Sequence, residues 1–343
     1  MVSPGWRLAT VLCVILLAAI LLTSTTLAIV TARDAMMLKH AVGMAYGSDA
    51  ATATYTPTDL TVPALPTLST STSTSLNIPF ARFAAELVAR LEYWSPLDAN
   101  ANAPPSLTHL GTFSSDSGKN NGWLLSDSSN TNTTLWLVFR GTSTNDEWKK
   151  DFQLQQVSFL TRLASRSIGR LAYPDFMVAP ISTNTDLFDP DIGVHSGFMD
   201  IYMSLRPALL NVLSNFPTSI KRICITGHSL GASQALCATL DLSTLFPDVT
   251  LDTVVFGCPR VGNNAFADAL LRASTVNSLV LLANTCDMVT NMPLAVQPNL
   301  SPPYDPLIYT HPGPAIHNFT ENRLGWIANH MISVYIDHLS QTN

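Results

Sequence analysis

The chain carries few charges and no basic cluster. Only 12% of its 343 residues are charged, and the formal net charge at pH 7 is −6. Proteins that hold nucleic acid by charge usually present a dense patch of Lys and Arg. The sequence therefore predicts no nucleic-acid partner, and it lacks the polybasic segment that would attach it to anionic lipid by charge. Nothing in it identifies a protein partner.

Cysteine is also scarce. Five cysteines, widely scattered, are too few for a disulfide scaffold or a zinc site. Cys224 and Cys237 lie in apolar runs on either side of a Gly-His-Ser-Leu-Gly turn, so we predict that they are buried thiols. Cys258 and Cys286 each end an apolar run, which leaves a disulfide between them open.

Long apolar runs, by contrast, are present, and the longest lies at the N-terminus. Residues 8–30 contain no charge, and a helix of 23 uncharged, mostly apolar residues is long enough to span a bilayer. The alternative is a cleaved secretory signal with residues 11–22 as its apolar centre. We expect residues 1–47 to be a single-pass transmembrane anchor or a signal segment, with the anchor favoured and the rest on the secretory or extracellular side. Three sequons in the part expected on the secretory or extracellular side would then be glycosylation candidates: Asn132, Asn299 and Asn318.

Residues 48–78 are rich in Ser, Thr and Pro and show no helical periodicity. Such a composition cannot bury enough apolar area to order itself, so it predicts an extended linker. The alternative is an irregular segment that packs on the following domain.

Residues 79–343 alternate between strand-like and helix-like patterns. Continuous apolar runs predict strands that are buried on both faces: 134–141, 221–227, 252–259 and 278–287. Amphipathic or apolar stretches predict helices before and between them: 80–94, 199–216, 232–245 and 265–273. This alternation predicts an α/β fold with a mostly parallel central sheet flanked by helices.

The segment "TGHSLGA", residues 226–232, follows one predicted strand and opens a predicted helix. A G-x-S-x-G sequence in that context holds its serine on a sharp strand-to-helix turn, with Oγ exposed above the sheet. Side chains at Gly227 and Gly231 would collide with the neighbouring strand and helix. Ser229 is then a candidate nucleophile, and the N–H of Leu230 points to where an oxyanion would form. The alternative is a plain tight turn.

A serine nucleophile needs a base, and the base needs an acid to orient it. In folds of this type the acid and then the histidine follow the serine along the chain. Asp287 comes directly after a predicted strand, so it should lie at the same sheet edge as Ser229. Position alone does not choose among the four downstream histidines: His311, His317, His330 and His338.

Several segments together resemble the class 3 (fungal-type) triacylglycerol lipase family over residues 135–335. They occur in the family's order: "VFRGT" (138–142), "VHSGF" (194–198), "TGHSLGA" (226–232) and "CPRVGN" (258–263). The resemblance implies an α/β-hydrolase-type domain and an ordered Ser-Asp-His triad.

The same resemblance implies the remaining site residues. "DMVTNMP" at 287–293 matches the context of the family's acid, which makes Asp287 that acid. "NHMISVY" at 329–335 matches the context of its histidine, which favours His330 as the base over the runner-up His338. Thr142 matches the oxyanion donor that would act with Leu230. The other histidines are expected to be supporting residues near the elbow or surface residues: His195, His228, His311 and His317.

The resemblance also implies a lid after Thr142, in which Trp148 matches an apolar residue that contacts substrate. Only Trp148 and Phe152 are apolar between residues 143 and 152, so the segment could equally be a polar loop. A Pro-rich insertion at 291–309 is expected to shape an acyl-binding cleft, with these residues as candidate walls: Leu294, Val296, Leu307 and Ile308.

These features predict a serine carboxylic ester hydrolase of the lipase or phospholipase A1 type, acting on glycerolipid at a lipid surface. No metal or organic cofactor is implied. The alternatives are an acyltransferase or peptidase on the same triad, or a lipid-binding protein without catalysis.

Overall fold

The computed structural model describes residues 56–93, 102–118, 121–127, 133–141, 155–167, 191–214, 220–299, 305–323 and 326–342. The predicted anchor at residues 8–30 lies outside these ranges. Of the helices within them, none is both long enough and apolar enough to cross a bilayer.

The described residues form eleven strands. In chain order they are β1 (Thr108–Ser114), β2 (Asn121–Asp127), β3 (Thr133–Phe139), β4 (Gln156–Ser158), β5 (Gly193–His195), β6 (Ile220–His228), β7 (Thr250–Phe256), β8 (Val276–Asn284), β9 (Val296–Gln297), β10 (Leu307–Ile308) and β11 (Ile316–Phe319).

Seven α-helices accompany them. They are α1 (Ile78–Tyr93), α2 (Phe159–Ser167), α3 (Ser196–Ser214), α4 (Leu230–Leu245), α5 (Asn264–Arg272), α6 (Trp326–His330) and α7 (Ile332–Gln341). Short 3₁₀ turns occur at Val289–Asn291 and Gly313–Ala315.

The central sheet has the order β1-β2-β3-β6-β7-β8-β11. The five strands from β3 to β11 run parallel, and β1 and β2 continue one edge in antiparallel fashion. The four predicted strands correspond to β3, β6, β7 and β8, so the predicted α/β fold with a mostly parallel sheet is confirmed. Strands β1, β2 and β11 were not predicted, because their sequences lack a continuous apolar run.

Strand β3 shows how the sheet divides the core into two layers. Leu135 and Leu137 belong to an apolar cluster with helices α3, α4 and α5. Trp136 and Val138 point the other way and join a cluster with α1 and α7. Successive side chains of a strand point to opposite faces. A strand covered on both faces therefore needs apolar residues at every position, which explains the continuous runs.

The N-terminal segment 56–77 packs on the domain, so here the alternative to an extended linker applies. Its backbone binds the sheet at the amino end of β8: Ser73 N–H donates to the carbonyl of Asn277 over 2.7 Å, and Leu279 N–H donates to the carbonyl of Ser73 over 2.9 Å. Four of its apolar side chains contact the layer of α1 and α7: Leu60, Val62, Leu65 and Leu76. A few apolar residues suffice because an existing core face receives them.

Charged side chains tie this segment down as well. Arg222, at the start of β6, donates to the backbone carbonyl of Pro66 and to the Asp252 carboxylate of β7. Asn277 donates to the other oxygen of Asp252 over 2.8 Å. Burial raises the pKa of Asp252 although the hydrogen bond from Arg222 opposes the shift. The arginine therefore compensates a carboxylate inside the protein.

We expect Arg222→Met to destabilise the protein by roughly 3–5 kcal/mol, because it leaves the Asp252 charge buried with one partner fewer. The double variant Arg222→Met/Asp252→Leu should be less destabilised than Arg222→Met alone, since both charges are gone. Urea unfolding of the two variants and the wild type measures this. Equal losses in both variants would contradict the buried-charge explanation.

Candidate active site

Ser229 lies between β6 and α4 in a backbone conformation that is uncommon for a residue with a side chain. Its φ is 56° and its ψ is −126°, and it is the one non-glycine residue with positive φ among those described. Its N–H donates to the carbonyl of Phe256 at the end of β7 over 3.0 Å. Such strain persists only where the surroundings enforce it, and it is concentrated at functional sites.

The two flanking glycines allow this turn. A Cβ on Gly227 would lie 2.3 Å from the carbonyl oxygen of Gly231, the second residue of α4. A Cβ on Gly231 would lie 2.5 Å from the carbonyl oxygen of Phe139 in β3. The collisions expected from the sequence are therefore confirmed, and the elbow can form only with glycine at both positions.

A continuous hydrogen-bond chain joins Ser229, His330 and Asp287. His330 Nε2 lies 2.7 Å from Ser229 Oγ, and His330 Nδ1 lies 2.7 Å from Asp287 Oδ2. The carboxylate accepts from Nδ1–H, which leaves the Nε2 lone pair of neutral His330 to accept the serine hydroxyl proton. All three side chains are buried. They come from three places along the chain: the end of β6, the turn after β8, and the end of α6.

Asp287 is held by three donors. Besides His330, the Tyr335 hydroxyl donates to Oδ2 over 2.7 Å and the N–H of Val289 donates to Oδ1 over 2.9 Å. Burial by itself would raise the pKa of Asp287, but neighbouring His330 and these hydrogen bonds outweigh it and lower the pKa below its ordinary value. The carboxylate is therefore ionised at neutral pH and able to orient the imidazole.

Gly257, directly after β7, lets these groups approach each other. Its φ is +54°. A Cβ there would lie 3.1 Å from three atoms: Asp287 Oδ2, His330 Cε1 and the Tyr335 hydroxyl oxygen. The carboxyl end of β7 therefore forms the floor of the site.

The other histidines contact other groups. His338 stacks on Phe319, with ring centroids 4.0 Å apart, and lies near Glu321. His311 and His317 each donate through Nε2 to a backbone carbonyl, of Thr290 and Thr74 respectively. His195 is buried against Phe198. His228 lies beside His330, with ring centroids 4.6 Å apart.

The remaining predicted site residues differ in what can be said of them. Leu230 is buried and begins α4, where the first N–H groups of a helix have no partner within it. Thr142 and Trp148 lie outside the described residues.

The described cysteines Cys224, Cys237, Cys258 and Cys286 are free, so the disulfide left open between the last two is absent. Burial raises the pKa values of the first three thiols.

Sequence reasoning used Tyr335 only as a marker for the histidine and did not select Gly257, Asn284 or Glu92. Asn284 Nδ2 donates to the carbonyls of Glu321 and Asn329, and its Oδ1 accepts from the N–H groups of Cys286 and Glu321. It thereby joins the loop that carries Asp287 to the segment that carries His330. The only sequence signal for it was its position at the end of an apolar strand.

No group of three or more His, Cys, Asp or Glu side chains within the described ranges is arranged to hold a metal ion.

Comparisons with known proteins found the following similarities. Residues 136–297 match the family model described as Lipase (class 3). The chain is 30% identical over 172 residues to phospholipase A(1) DAD1 of Arabidopsis thaliana, covering 48% of this chain and 34% of that protein. It is 38% identical over 79 residues to the secreted mono- and diacylglycerol lipase LIP4 of Malassezia restricta, covering 22% of this chain and 26% of that protein.

The structure of Rhizomucor miehei triacylglyceride lipase is 25% identical to this chain, with a TM-score of 0.44, covering 64% of this chain and 75% of that one. The chain spans about a third and a quarter of the two curated relatives just named. The family-model match over residues 136–297 confirms the resemblance to class 3 lipases expected from the motifs.

Gly257→Ala should destabilise the protein, because alanine rarely adopts a positive φ and its Cβ would crowd three atoms at once. Strain of this kind costs about 1–3 kcal/mol. Thermal unfolding of the variant beside Gly313→Ala checks this, since a Cβ on Gly313 meets nothing within 4 Å. Equal unfolding temperatures for the two variants would show that Gly257 is not constrained.

Proposed function

We propose, from the match of residues 136–297 to the class 3 lipase family model, that this chain is a serine carboxylic ester hydrolase. The observation that carries the proposal is the hydrogen-bond chain from Ser229 Oγ through His330 to Asp287, on a strained elbow. A serine that only capped a helix would need neither a buried histidine nor a buried carboxylate behind it.

In the proposed reaction, Ser229 Oγ attacks the ester carbonyl while His330 Nε2 accepts the hydroxyl proton. His330 then delivers that proton to the leaving alkoxide, so the alcohol departs and an acyl-enzyme remains. Water repeats the sequence and releases the fatty acid. Asp287 holds the imidazole in the tautomer that needs Nδ1–H and stabilises the imidazolium that forms.

The developing oxyanion would be held at the start of α4. Leu230 N–H, directly after the nucleophile, is one proposed donor, and the positive end of the helix macrodipole adds to it. Thr142, which directly follows Gly141 and is the third residue after the end of β3 at Phe139, is the second proposed donor. Trp148 stays a proposed lid residue.

An apolar rim on the chain that follows Asp287 supports a lipid substrate. We define the rim as Met288, Leu294, Val296 and Ile308, which are four of the five large hydrophobic side chains exposed in the described part of the chain. Val296 and Ile308 are direct cross-strand partners in the β9–β10 hairpin. Met288 follows Asp287 in the chain, and Arg260 fastens the loop by donating to the carbonyl of Pro293 over 2.9 Å.

The named relatives point to the same substrate class. One is named phospholipase A(1) and another mono- and diacylglycerol lipase, which supports an acyl ester of a glycerolipid. The second is named as secreted, which supports an extracellular site of action. Residues 8–30 of the present chain are proposed to act as a membrane anchor or, alternatively, as a cleaved signal.

The triad is tested by purifying Ser229→Ala, His330→Ala and His338→Ala and measuring hydrolysis of a short-chain ester. We expect the first two to lose activity by roughly 10⁴-fold or more. His338→Ala, whose ring lies on Phe319, should retain activity. An active Ser229→Ala would remove the mechanism, and an active His330→Ala with an inactive His338→Ala would transfer the role of base.

The rim is tested with Val296→Ser/Ile308→Ser. Burying such side chains in lipid is worth roughly 1.5–3 kcal/mol each, so binding to phosphatidylcholine vesicles should weaken at least about tenfold. Activity on a soluble short-chain ester should fall much less. Leu68→Ser is the matched control. Leu68 is 68% exposed, and its neighbour Ser69 binds Asn277 at the amino end of β8, whereas Ser229 lies at the carboxyl ends of the strands. Equal vesicle binding by the wild type, Val296→Ser/Ile308→Ser and Leu68→Ser would exclude the rim as the lipid contact.

A further inference from the structure

His228, the residue before the nucleophile, has an oxygen acceptor at each ring nitrogen. Nδ1 lies 3.0 Å from Glu92 Oε1, and Nε2 lies 2.6 Å from the backbone carbonyl oxygen of His330. A carbonyl oxygen can only accept, so Nε2 must carry a hydrogen. An ionised Glu92 also only accepts, so Nδ1 must carry one too. With Glu92 ionised, these contacts give an imidazolium paired with a carboxylate.

The surroundings of His228 favour that charge state. Burial would lower its pKa, but the charge and hydrogen bond of Glu92, with smaller effects from Asp287 and the His330 carbonyl, raise the pKa above its ordinary value. Glu92 lies in the last turn of α1 and reaches the elbow over Gly141, where a Cβ would lie 2.5 Å from Glu92 Oε1. The close approach of the carboxylate depends on that glycine.

These contacts close a ring around the proposed reacting atoms. The His330 side chain binds Ser229 Oγ, while the His330 carbonyl accepts from the side chain of His228, the residue next to Ser229. His330 is the last residue of α6, and Met331 separates it from α7 with extended backbone. The backbone of His330 is thus at a break between two helices, where a side-chain donor can fix its position.

We propose that Glu92 and His228 form a second histidine–carboxylate pair whose role is to position His330 through its backbone carbonyl. The pair does not touch substrate and exchanges no proton with it, so both are positioning residues. This inference rests on the proposed function, since it concerns the base of that reaction. The positioning role is separate from the proposed function, because Ser229 could hydrolyse an ester with any other support for His330.

The test separates the two hydrogen bonds of His228. In His228→Asn the amide reaches about as far as Nδ1, so it can still meet Glu92 but not the His330 carbonyl. In His228→Gln the amide nitrogen reaches about as far as Nε2, so it can still donate to that carbonyl. A catalytic group displaced by about 1 Å can lose roughly 10²-fold in rate. We expect kcat to fall by about that factor in His228→Asn and to stay within about tenfold of wild type in His228→Gln.

KM for a soluble short-chain ester should change little in either variant, because neither residue is proposed to touch substrate. Ser229→Ala runs alongside. If Ser229→Ala is active, the proposed function itself fails. If Ser229→Ala is inactive but the two His228 variants have equal kcat, the positioning role is wrong and the proposed function stands.

A second variant covers the case in which His228→Asn does not fold. Glu92→Gln keeps the shape of the side chain but removes the charge that raises the pKa of His228. The other groups that face His228 are His330, Asp287 and Tyr335. A raised folded-state pKa stabilises the protein fully below the unfolded value of about 6.5, and this contribution is lost as pH rises through the folded value. The stability difference between wild type and Glu92→Gln should therefore shrink as pH rises.

Nitrogen NMR of the His228 ring provides the direct readout. Both nitrogens should be protonated at pH 7 in the wild type, and one proton should be absent in Glu92→Gln. A neutral His228 ring in the wild type, or a stability difference independent of pH, would overturn the proposal.

Discussion

The backbone of Ser229 is forced into its positive-φ conformation by contact on two sides, and the rest of the site depends on that constraint. Gly227 lies against the first turn of α4, and Gly231 lies against the backbone of β3. The Ser229 N–H is bound to the end of β7. A side chain at either glycine would collide with backbone, so only glycine at both positions allows the turn that directs the serine hydroxyl above the sheet. The other site residues then have to lie within hydrogen-bond reach of that hydroxyl or of each other.

Charge is the second constraint, because the site collects ionisable groups in a buried place. Asp287 has three donors, which outweigh the effect of burial on its pKa. His228, whose pKa is raised, lies 3.0 Å from the Glu92 carboxylate. An unpaired charge in such surroundings would cost several kcal/mol. The arrangement of two histidine–carboxylate pairs side by side keeps both histidines hydrogen-bonded without leaving a charge alone.

The parts of the chain that local pattern predicted well are the central parallel strands and the helices between them. A strand covered on both faces is apolar at every position, and this is visible in one dimension. Strands β1 and β2 lie at an antiparallel edge and lack that signature. The low apolar content of residues 48–78 predicts an extended linker, whereas the described part of that stretch, residues 56–77, packs on the domain. Its few leucines and one valine find a preformed surface formed by α1 and α7, which no property of the segment itself reveals.

The sequence by itself determined the elbow, the α/β class and the position of Asp287 after a parallel strand, since each depends on neighbours in the chain. The choice of His330 among four histidines needed the resemblance to a family, because spacing did not distinguish them. Only the tertiary structure decided that Tyr335 binds Asp287, that Gly257 lies beneath the reacting groups, and that Glu92 meets His228 across 136 residues of chain. Contacts of this kind depend on strand register and on how helices dock, and these are set by the whole core and not by any local stretch of residues.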